Sequence, residues 1–327
     1  MFRHAERRPG CWRNTLLAAT GMIAAGPPFA FGQGSAGQQP KPTAAVEPSA
    51  QSIDMPDWQK VAGGKMSFDL ASIRLSKPGS FTPPNIPFGP DEAYHPTGGL
   101  LKANFPLMAY IAFAYKLWLT QEQEKAMVAH LPKWVATDTF IIQAKVEGNP
   151  TKDQMRLMMQ SLLTDRFKLA LHFEPQEVPV LALSLVKPGK LGPRLHPHAD
   201  GPPCDVRNPD IFPFGCDGYN RRMLSDHVIE VGSRNTTMGL LSGSLPMLGN
   251  LGRPVVDQTG LSGRFDFTLE WTPESNQLEP AGADVQPELQ GTTFLEALKE
   301  QLGLQLKSTK ATLDAPVIDR VERPSEN

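Results

Sequence analysis

The chain has few of the residues and patterns on which several common function classes depend. Its 327 residues include only three cysteines, and its 32 basic side chains are slightly outnumbered by 34 acidic ones. No basic stripe stands out, so we expect no nucleic-acid partner. After the first thirty positions no apolar run approaches the ~20 residues needed to cross a bilayer. We therefore expect no transmembrane segment in the mature chain.

The sequence also lacks the common catalytic motifs. It holds no His-Glu-x-x-His pair for a metallopeptidase, no Gly-x-Ser-x-Gly elbow for a nucleophilic serine and no glycine loop that would cradle phosphates. We therefore predict no catalytic residue, no cofactor and no bound metal. This absence favours a binding protein, although an active site built from dispersed residues would leave the same sequence pattern.

The first 32 residues have the pattern of a secretory signal. Four arginines precede a short apolar core at 15–25, and Ala30-Phe31-Gly32 offers small residues for cleavage before Gln33. Cleavage there would remove four arginines and one glutamate and move the net charge from −2 to about −5. We predict an exported protein, periplasmic or extracellular, with a retained membrane anchor as the alternative.

The rest of the chain divides by composition. Residues 33–60 are rich in Gln, Pro, Ala, Ser and Gly and predict a disordered linker. Residues 61–190 predict an N-terminal αβ half, and residues 227–327 a C-terminal αβ half. Between them, residues 191–226 have little periodicity, many prolines and two cysteines, and predict a loop.

A short pattern recurs within the two halves, and it predicts the fold class. Each copy is a helix with a polar cap followed by two β-strands, with capping boxes at Thr151/Gln154 and Thr293/Glu296. We expect an α+β fold of repeated αββ units, with antiparallel sheets and helices packed on one face. The copies run over Thr151 to Lys187, Asn235 to Trp271 and Thr292 to Arg323, with a weaker one over Asn104 to Val146.

In the first and third copies we expect the two strands to form a hairpin. Residues 174–177, Glu-Pro-Gln-Glu, would turn the chain in the first copy. In the third, strands at 304–308 and 315–321 would pair across the residues between them. In the weaker copy, Asn104 would cap a helix from Phe105 to Trp118.

The cysteines carry the one predicted covalent link. Cys204 and Cys216 lie in one loop of a chain that we expect to be exported, and this context favours a disulfide between them. A tetrahedral zinc site made by both thiolates with His196 and His198 is the alternative. Its spacing matches no known zinc finger.

Other polar and aromatic residues have a structural and a functional interpretation. His172 and His227, the latter beside Asp226, suit a strand surface or a general base. Three acidic residues near one hairpin suit a solvated strand face, acid–base chemistry or Ca²⁺ binding: Asp257, Asp266 and Glu270. Three tryptophans suit core packing or an aromatic ligand cleft: Trp118, Trp134 and Trp271.

Five phrases of the sequence resemble a large family of secreted, soil-associated bacterial proteins that carry a domain of unknown function. The resemblance covers about residues 66–327 and rests on residues 68–79, 107–117, 148–172, 251–273 and 301–327. It implies an exported protein without an established activity. Some members are associated with an antirepressor-type metallopeptidase, so a sensory domain acting with such an enzyme is one alternative. Similar proteins tend to have a Gly-Pro-x-Trp turn where this chain has Leu131-Pro132-Lys133-Trp134.

The small αβ units also look like the N-terminal domains of secretins and TonB-dependent receptors. That likeness implies binding of envelope proteins, partly by strand pairing at a sheet edge. We therefore expect an exported, non-catalytic binding module of the bacterial envelope, whose partner is a protein, a peptide or a cell-wall glycan. An uncharacterised hydrolase is the alternative from a different class.

Overall fold

The computed structural model describes residues 56–324, except residues 78, 81, 200–210, 226 and 274–290. The predicted signal at 1–32 and the predicted linker up to residue 55 lie outside them. Helix α1 (Asp57–Ala62) occupies the end of that linker, so the prediction of disorder through residue 60 is wrong there. Trp58 explains the order, because the Lys116 ammonium lies 4.8 Å from its ring centroid.

The first part of the chain builds a three-stranded antiparallel sheet with strand order β1-β3-β2. Apolar residues on alternating positions of these strands pack against the buried, almost wholly apolar helix α2. The elements are β1 (Leu70–Leu75), β2 (Leu100–Pro106), α2 (Leu107–Ala114), α3 (Gln121–Val128), α4 (Trp134–Thr137) and β3 (Thr139–Lys145).

Asn104 does not cap a helix, contrary to the prediction. It lies in β2, which pairs with β3 as far as Pro106, and its side-chain amide donates to the Ser80 carbonyl at 3.1 Å. Helix α2 begins only at Leu107 and ends at Ala114. The ladder with β3 keeps the backbone extended two residues further than local propensity suggests.

Helix α5 (Lys152–Phe167) and strand β4 (Ala170–Leu185) follow. The remaining elements are β5 (Leu195–Pro197), β6 (Asn220–Met223), β7 (Ile229–Thr236), α6 (Met238–Leu248), β8 (Val255–Asp257), β9 (Phe265–Trp271), α7 (Phe294–Ala297), a π-helical turn (Leu298–Leu302) and β10 (Leu304–Arg320). They add a sheet with order β10-β4-β8 and a four-stranded antiparallel sheet with order β5-β9-β7-β6. None of the helices in the described part of the chain combines the length and the hydrophobicity that a bilayer crossing requires.

Two short strands lie inside the segment 191–226 that was predicted to be a loop. β5 pairs with β9, and β6 pairs with β7, both antiparallel. β5 has one buried residue and β6 has none. Both strands lie at the edges of the sheet and are held by backbone pairing, so their side chains show no pattern that would predict a strand.

The two predicted hairpins are replaced by two long strands. β4 stays extended through residues 174–177, and β10 stays extended from Leu304 to Arg320. The two strands pair with each other, antiparallel, from Leu304 opposite Leu185 to Arg320 opposite Ala170. We call this pair of strands the ribbon.

Pro175 is compatible with the ribbon because its backbone nitrogen faces away from β10. Proline has no N–H to give, so it occupies strand positions whose nitrogen faces away from the partner. The backbone N–H groups of odd-numbered β4 residues point away from β10. Leu181 shows this, because its N–H donates to the Pro254 carbonyl at 2.9 Å, beside β8. Pro175 and Pro179 share that parity and therefore point to the outer edge of β4.

The ribbon connects two hydrophobic cores. The first core is formed by the sheet β1-β3-β2 with α2 and α5, and Ile318 near the end of β10 belongs to it. The second is formed by the sheet β5-β9-β7-β6 with α6, β8, α7 and the π-helical turn, and it includes Leu183 and Leu304. Between the cores, most ribbon side chains are exposed or half-buried.

The structure confirms the predicted α+β class with antiparallel sheets. It corrects the repeat, because α5 and the α7 segment are each followed by one long strand and not by a hairpin. In the copy from Asn235 to Trp271 the two strands enter different sheets: β8 pairs parallel to β4, and β9 pairs with β7 and β5.

Candidate functional site

A cleft of about 550 Å³ opens beside the first turn of α5. Its lining comes from three parts of the chain: Val61 and Ala62 at the end of α1, residues 92, 94 and 96, and residues 149–154 with Arg156. The lining mixes apolar, aromatic and charged side chains, which is typical of sites that orient a small ligand.

The predicted capping box holds the α5 end of the cleft in place. Thr151 Oγ1 accepts from the Gln154 N–H at 3.2 Å, and Gln154 Oε1 accepts from the Thr151 N–H at 2.9 Å. The two side chains thus satisfy the first backbone donors of the helix.

Lys152 is a buried cation in the wall of the cleft. Its side chain is only 4% exposed, and its Nζ donates to the Asp91 carbonyl at 2.8 Å and to Asp91 Oδ1 at 2.9 Å. Burial lowers the pKa of Lys152 to about 8, against the opposing pull of the Asp91 carboxylate. This amine therefore changes charge close to neutral pH.

Arg156 lies one turn further along α5 and is fully buried. Its Nη2 donates to the Asp91 carbonyl at 2.7 Å and to the Gly89 carbonyl at 3.2 Å, and its Nη1 pairs with the Asp153 carboxylate. Its guanidinium carbon lies 5.5 Å from the ring centroid of Phe113. Arg156 and Lys152 together fasten the segment around Asp91 to α5.

Two buried polar atoms at the cleft have no hydrogen-bond partner among the described residues: Arg156 Nε and the hydroxyl of Tyr94. Both can donate to an oxygen atom. Burial raises the pKa of the Tyr94 phenol, so that its proton is retained; the nearby Thr97 hydroxyl opposes the rise without forming a hydrogen bond of normal geometry. Unsatisfied buried donors are rare in native proteins, and strain, a functional role, or an ordered water or ion accounts for them.

A second polar cluster adjoins the cleft through Glu92. The Arg264 guanidinium contacts Glu92 Oε2 at 3.2 Å and Asp217 Oδ1 at 3.0 Å, and Asn235 Nδ2 donates to the same Asp217 oxygen at 2.8 Å. Burial raises the pKa of Asp217, which the Arg264 charge opposes. A backbone hydrogen bond also links the two segments, from the Glu92 N–H to the Asp217 carbonyl at 3.0 Å.

His198 and Asp266, both singled out in the sequence, meet beside that cluster. Nδ1 of the imidazole lies 2.7 Å from Asp266 Oδ1, which also accepts the Asn235 N–H at 2.8 Å. An aspartate in this position orients an imidazole, as in a general base. No serine or threonine hydroxyl of the described residues is hydrogen-bonded to His198.

The described residues include only part of the predicted cysteine and zinc sites. Cys204 lies outside the described residues, so its disulfide with Cys216 stays a prediction. His196 is exposed on β5, and His198 is engaged by Asp266. Over the described ranges, no group of three or more His, Cys, Asp or Glu side chains is placed to hold a metal ion.

His172 bridges the ribbon. Its Nδ1 lies 2.8 Å from Asp319 Oδ2 on β10, and its Nε2 lies 3.0 Å from Glu174 Oε1 on its own strand. Hydrogen bonding to Glu174 raises the pKa of His172, and Asp319 adds to the rise. The stabilisation is therefore present below the ordinary histidine pKa and is lost as pH rises through the raised value.

We expect Glu174→Gln to lower the pKa of His172 more than Asp319→Asn does, because the contact with Glu174 contributes most to the rise. An NMR titration of the His172 ring in the wild type and both variants checks this. A pKa that stays the same in Glu174→Gln would show that the contact between His172 and Glu174 does not form in solution.

The remaining predicted residues are dispersed. His227 is exposed, and its neighbour Asp226 lies outside the described residues. Asp257 Oδ1 accepts from the Thr259 N–H at 2.9 Å and so closes a turn, while Glu270 pairs with Arg194 at 2.5 Å. These carboxylates have local structural partners.

The three tryptophans pack against other side chains, and none of them lines the cleft. The Trp134 ring lies 6.0 Å from Phe140, and that of Trp271 lies 5.2 Å from Phe294. Trp118 covers Gly243 so closely that a Cβ there would lie 2.9 Å from the indole.

Sequence reasoning missed the residues that build the cleft. Asp91 is 61 residues from Lys152 along the chain, in a loop rich in proline, and no local pattern pairs them. One signal was available: Lys152 and Arg156 are four residues apart, on the side of α5 that also carries Met155 and Met159. Cations on the apolar side of a helix indicate buried ion pairs, the more so for a lysine at a helix N-terminus.

Comparison with known proteins shows the family of the chain. No curated protein and no solved structure matches it. Soil association, secretion and the likeness to secretins and TonB-dependent receptors stay predictions, whereas a domain of unknown function is found over residues 108–321. The chain therefore belongs to the family described as protein of unknown function, DUF3738.

Proposed function

We propose that this chain is an exported, non-catalytic binding module of the bacterial envelope, and that its ligand occupies the cleft beside α5. The observation that carries the proposal is the cleft itself, whose lining includes Tyr94 and Arg156, the residues with the two unpartnered buried donors. The signal-like residues 1–32 support a periplasmic or extracellular site of action.

The charges around the cleft favour a ligand of mixed character. Lys152 pairs with Asp91, Arg156 shares the Asp153 carboxylate with Lys116, and Glu92 adds a further negative charge to the lining. A strongly charged ligand of either sign would disturb that balance. The carbonyl groups of a peptide, or the hydroxyl and amide groups of a cell-wall glycan, suit it better, because they offer acceptors without a net charge.

Site-specific crosslinking in cells tests the proposal. Val61 lines the cleft and is 88% exposed, so a photoreactive phenylalanine there should not disturb folding. Met247 on α6 is 73% exposed, does not line the cleft and serves as the matched control. We expect one dominant adduct from position 61 that is absent from position 247. The same set of adducts from both positions, or none from either, contradicts the proposal.

Tyr94→Phe separates ligand binding from folding. The change removes a buried hydroxyl without a partner and keeps the ring, so stability should stay the same or rise by up to about 1 kcal/mol. In the Val61 crosslinking variant, the same change should reduce the adduct. Chemical denaturation and adduct yield are the two measurements. An unchanged yield would remove the Tyr94 hydroxyl from the binding site.

A hydrolase is the second candidate, and the contact between His198 and Asp266 favours it. An oriented imidazole at the edge of a polar cluster is half of a nucleophile-activating arrangement. Hydrolysis of envelope-derived peptides or glycans that disappears in His198→Gln, while the crosslinked adduct remains, would support the enzyme over the binding module.

A further inference from the structure

The outer edge of β10 is a long, regular and unpaired strand edge. Pro175 and Pro179 lie opposite Asp314 and Lys310 of β10. When one residue of an antiparallel pair points its backbone groups away from the partner strand, the residue opposite does the same. The outward-facing residues of β10 are therefore the even-numbered ones. Ile318 agrees, because its carbonyl oxygen lies 3.2 Å from Nε2 of His130, which follows α3.

Between Leu306 and Asp314 these outward groups have no backbone partner in the described part of the chain. The register with β4 is continuous over this stretch, and the one irregularity lies beyond it, between Ile318 and Arg320. An unpaired edge of nine residues is about 30 Å long. Edges of this kind are templates for pairing with another strand.

The two edges of the ribbon differ in their protection. The outer edge of β4 carries prolines at 175 and 179, which remove alternate donors and prevent pairing. The outer edge of β10 has a proline only near its end, at 316, and carries charges instead. Lysines on an edge discourage pairing unless an opposite charge faces them.

The sequence of β10 supplies that opposite charge within a second copy of itself. In an antiparallel pair of two β10 strands, outward residues face outward residues. The register that places Thr312 opposite Thr312 places Lys310 opposite Asp314 twice. The register that centres on Lys310 sets two lysines face to face, and the one that centres on Asp314 sets two aspartates face to face. Registers centred on Ala311 or Leu313 place no lysine opposite an aspartate, so the charges favour the Thr312-centred register.

We propose that the outer edge of β10 pairs with the same edge of a second copy of this chain, antiparallel and centred on Thr312. The product is a continuous four-stranded sheet with strand order β4-β10-β10-β4. The central three residue pairs would exchange about six backbone hydrogen bonds. The facing threonines and the two charge pairs are favourable cross-strand neighbours.

Sedimentation equilibrium of the purified chain over a range of concentrations tests this. We expect a dimer in the wild type and a monomer in Thr312→Pro, since this N–H faces outward and its loss spares the ladder with β4. Glu177→Pro is the matched control. Glu177 lies opposite Thr312 on β4 and pairs with Lys310. A proline there faces the edge that is already blocked and releases Lys310 to pair with Asp314 of the second copy, so the dimer should stay intact.

Charge reversal tests the register. Lys310→Asp should raise the Kd of dimerisation roughly tenfold or more, because an aspartate then faces Asp314 at both symmetric sites. The double variant Lys310→Asp with Asp314→Lys should restore the wild-type Kd, and circular dichroism should show all variants folded. A wild type that stays monomeric, or a dimer that tolerates Thr312→Pro, overturns the proposal. So does capture of an extended peptide by this edge in a monomer.

Discussion

Asp91→Asn is expected to destabilise the protein by about 3 kcal/mol at neutral pH, because removing one partner of a buried ion pair leaves the other charge uncompensated. The Lys152 ammonium is 4% exposed, and its ion partner is the Asp91 carboxylate. Asparagine keeps an oxygen that can accept from Lys152 Nζ and from the Ala93 N–H. The variant therefore isolates the effect of the charge.

The pH dependence of this loss identifies its cause. Burial lowers the pKa of Lys152 from 10.5 to about 8, so the unfolded chain holds more protons than the folded chain between those values. The resulting stability is present above the unfolded pKa and is lost as pH falls through about 8. Without the Asp91 charge the pKa falls further. The free energy of unfolding should therefore differ more between wild type and variant below the folded pKa of Lys152, and less above it.

Urea denaturation at neutral pH, and again at a pH above the pKa of Lys152, measures both quantities. Glu177→Gln is the control, because its pair with Lys310, at 2.8 Å, is exposed on both sides and should contribute less than about 1 kcal/mol. Equal effects of the two substitutions, or an Asp91→Asn effect that does not change with pH, would contradict a buried charge pair.

Gly192→Ala is expected to cost at least about 3 kcal/mol or to prevent folding, because the methyl group has no space. At Gly192 a Cβ would overlap the Gln301 carbonyl oxygen and backbone atoms of Leu302 and Gly303. These backbones cannot move apart freely. The Gly192 N–H donates to the Leu302 carbonyl at 2.9 Å, and the Arg194 N–H donates to the Gln301 carbonyl at 2.8 Å.

Gly239→Ala is the control for this substitution. Gly239 lies in α6, and the nearest atom to an added Cβ would be Thr237 Oγ1 at 3.9 Å. Alanine is a better helix former than glycine, so this variant should be as stable as the wild type or more stable by up to about 1 kcal/mol. Thermal unfolding of both variants decides the matter. A Gly192→Ala protein with wild-type stability would show that the crossing at Leu302 is looser than described.

Elements governed by local chemistry could be predicted from the sequence. The Thr151/Gln154 capping box and the apolar side of α5 are present as expected. Strand β9 alternates between buried and half-buried residues along its length, as the spacing of Phe265, Phe267, Leu269 and Trp271 predicted. In each case the signal lies within one element and does not depend on a distant partner.

The ribbon could not be predicted in this way. Glu174-Pro175-Gln176-Glu177 has the composition of a turn, and only pairing with residues 312–315, some 140 positions later, keeps it extended. The cleft has the same origin, since Asp91 reaches Lys152 only after the chain has folded. Residues that depend on non-local contacts leave little trace in a single sequence.

The return of β10 to the first core has a consequence for the order of events in folding. Ile318 is a buried member of a core whose other buried residues lie between positions 73 and 169, so that core is complete only when β10 has joined it. Contacts this far apart in sequence slow folding, because a long loop must close before they form.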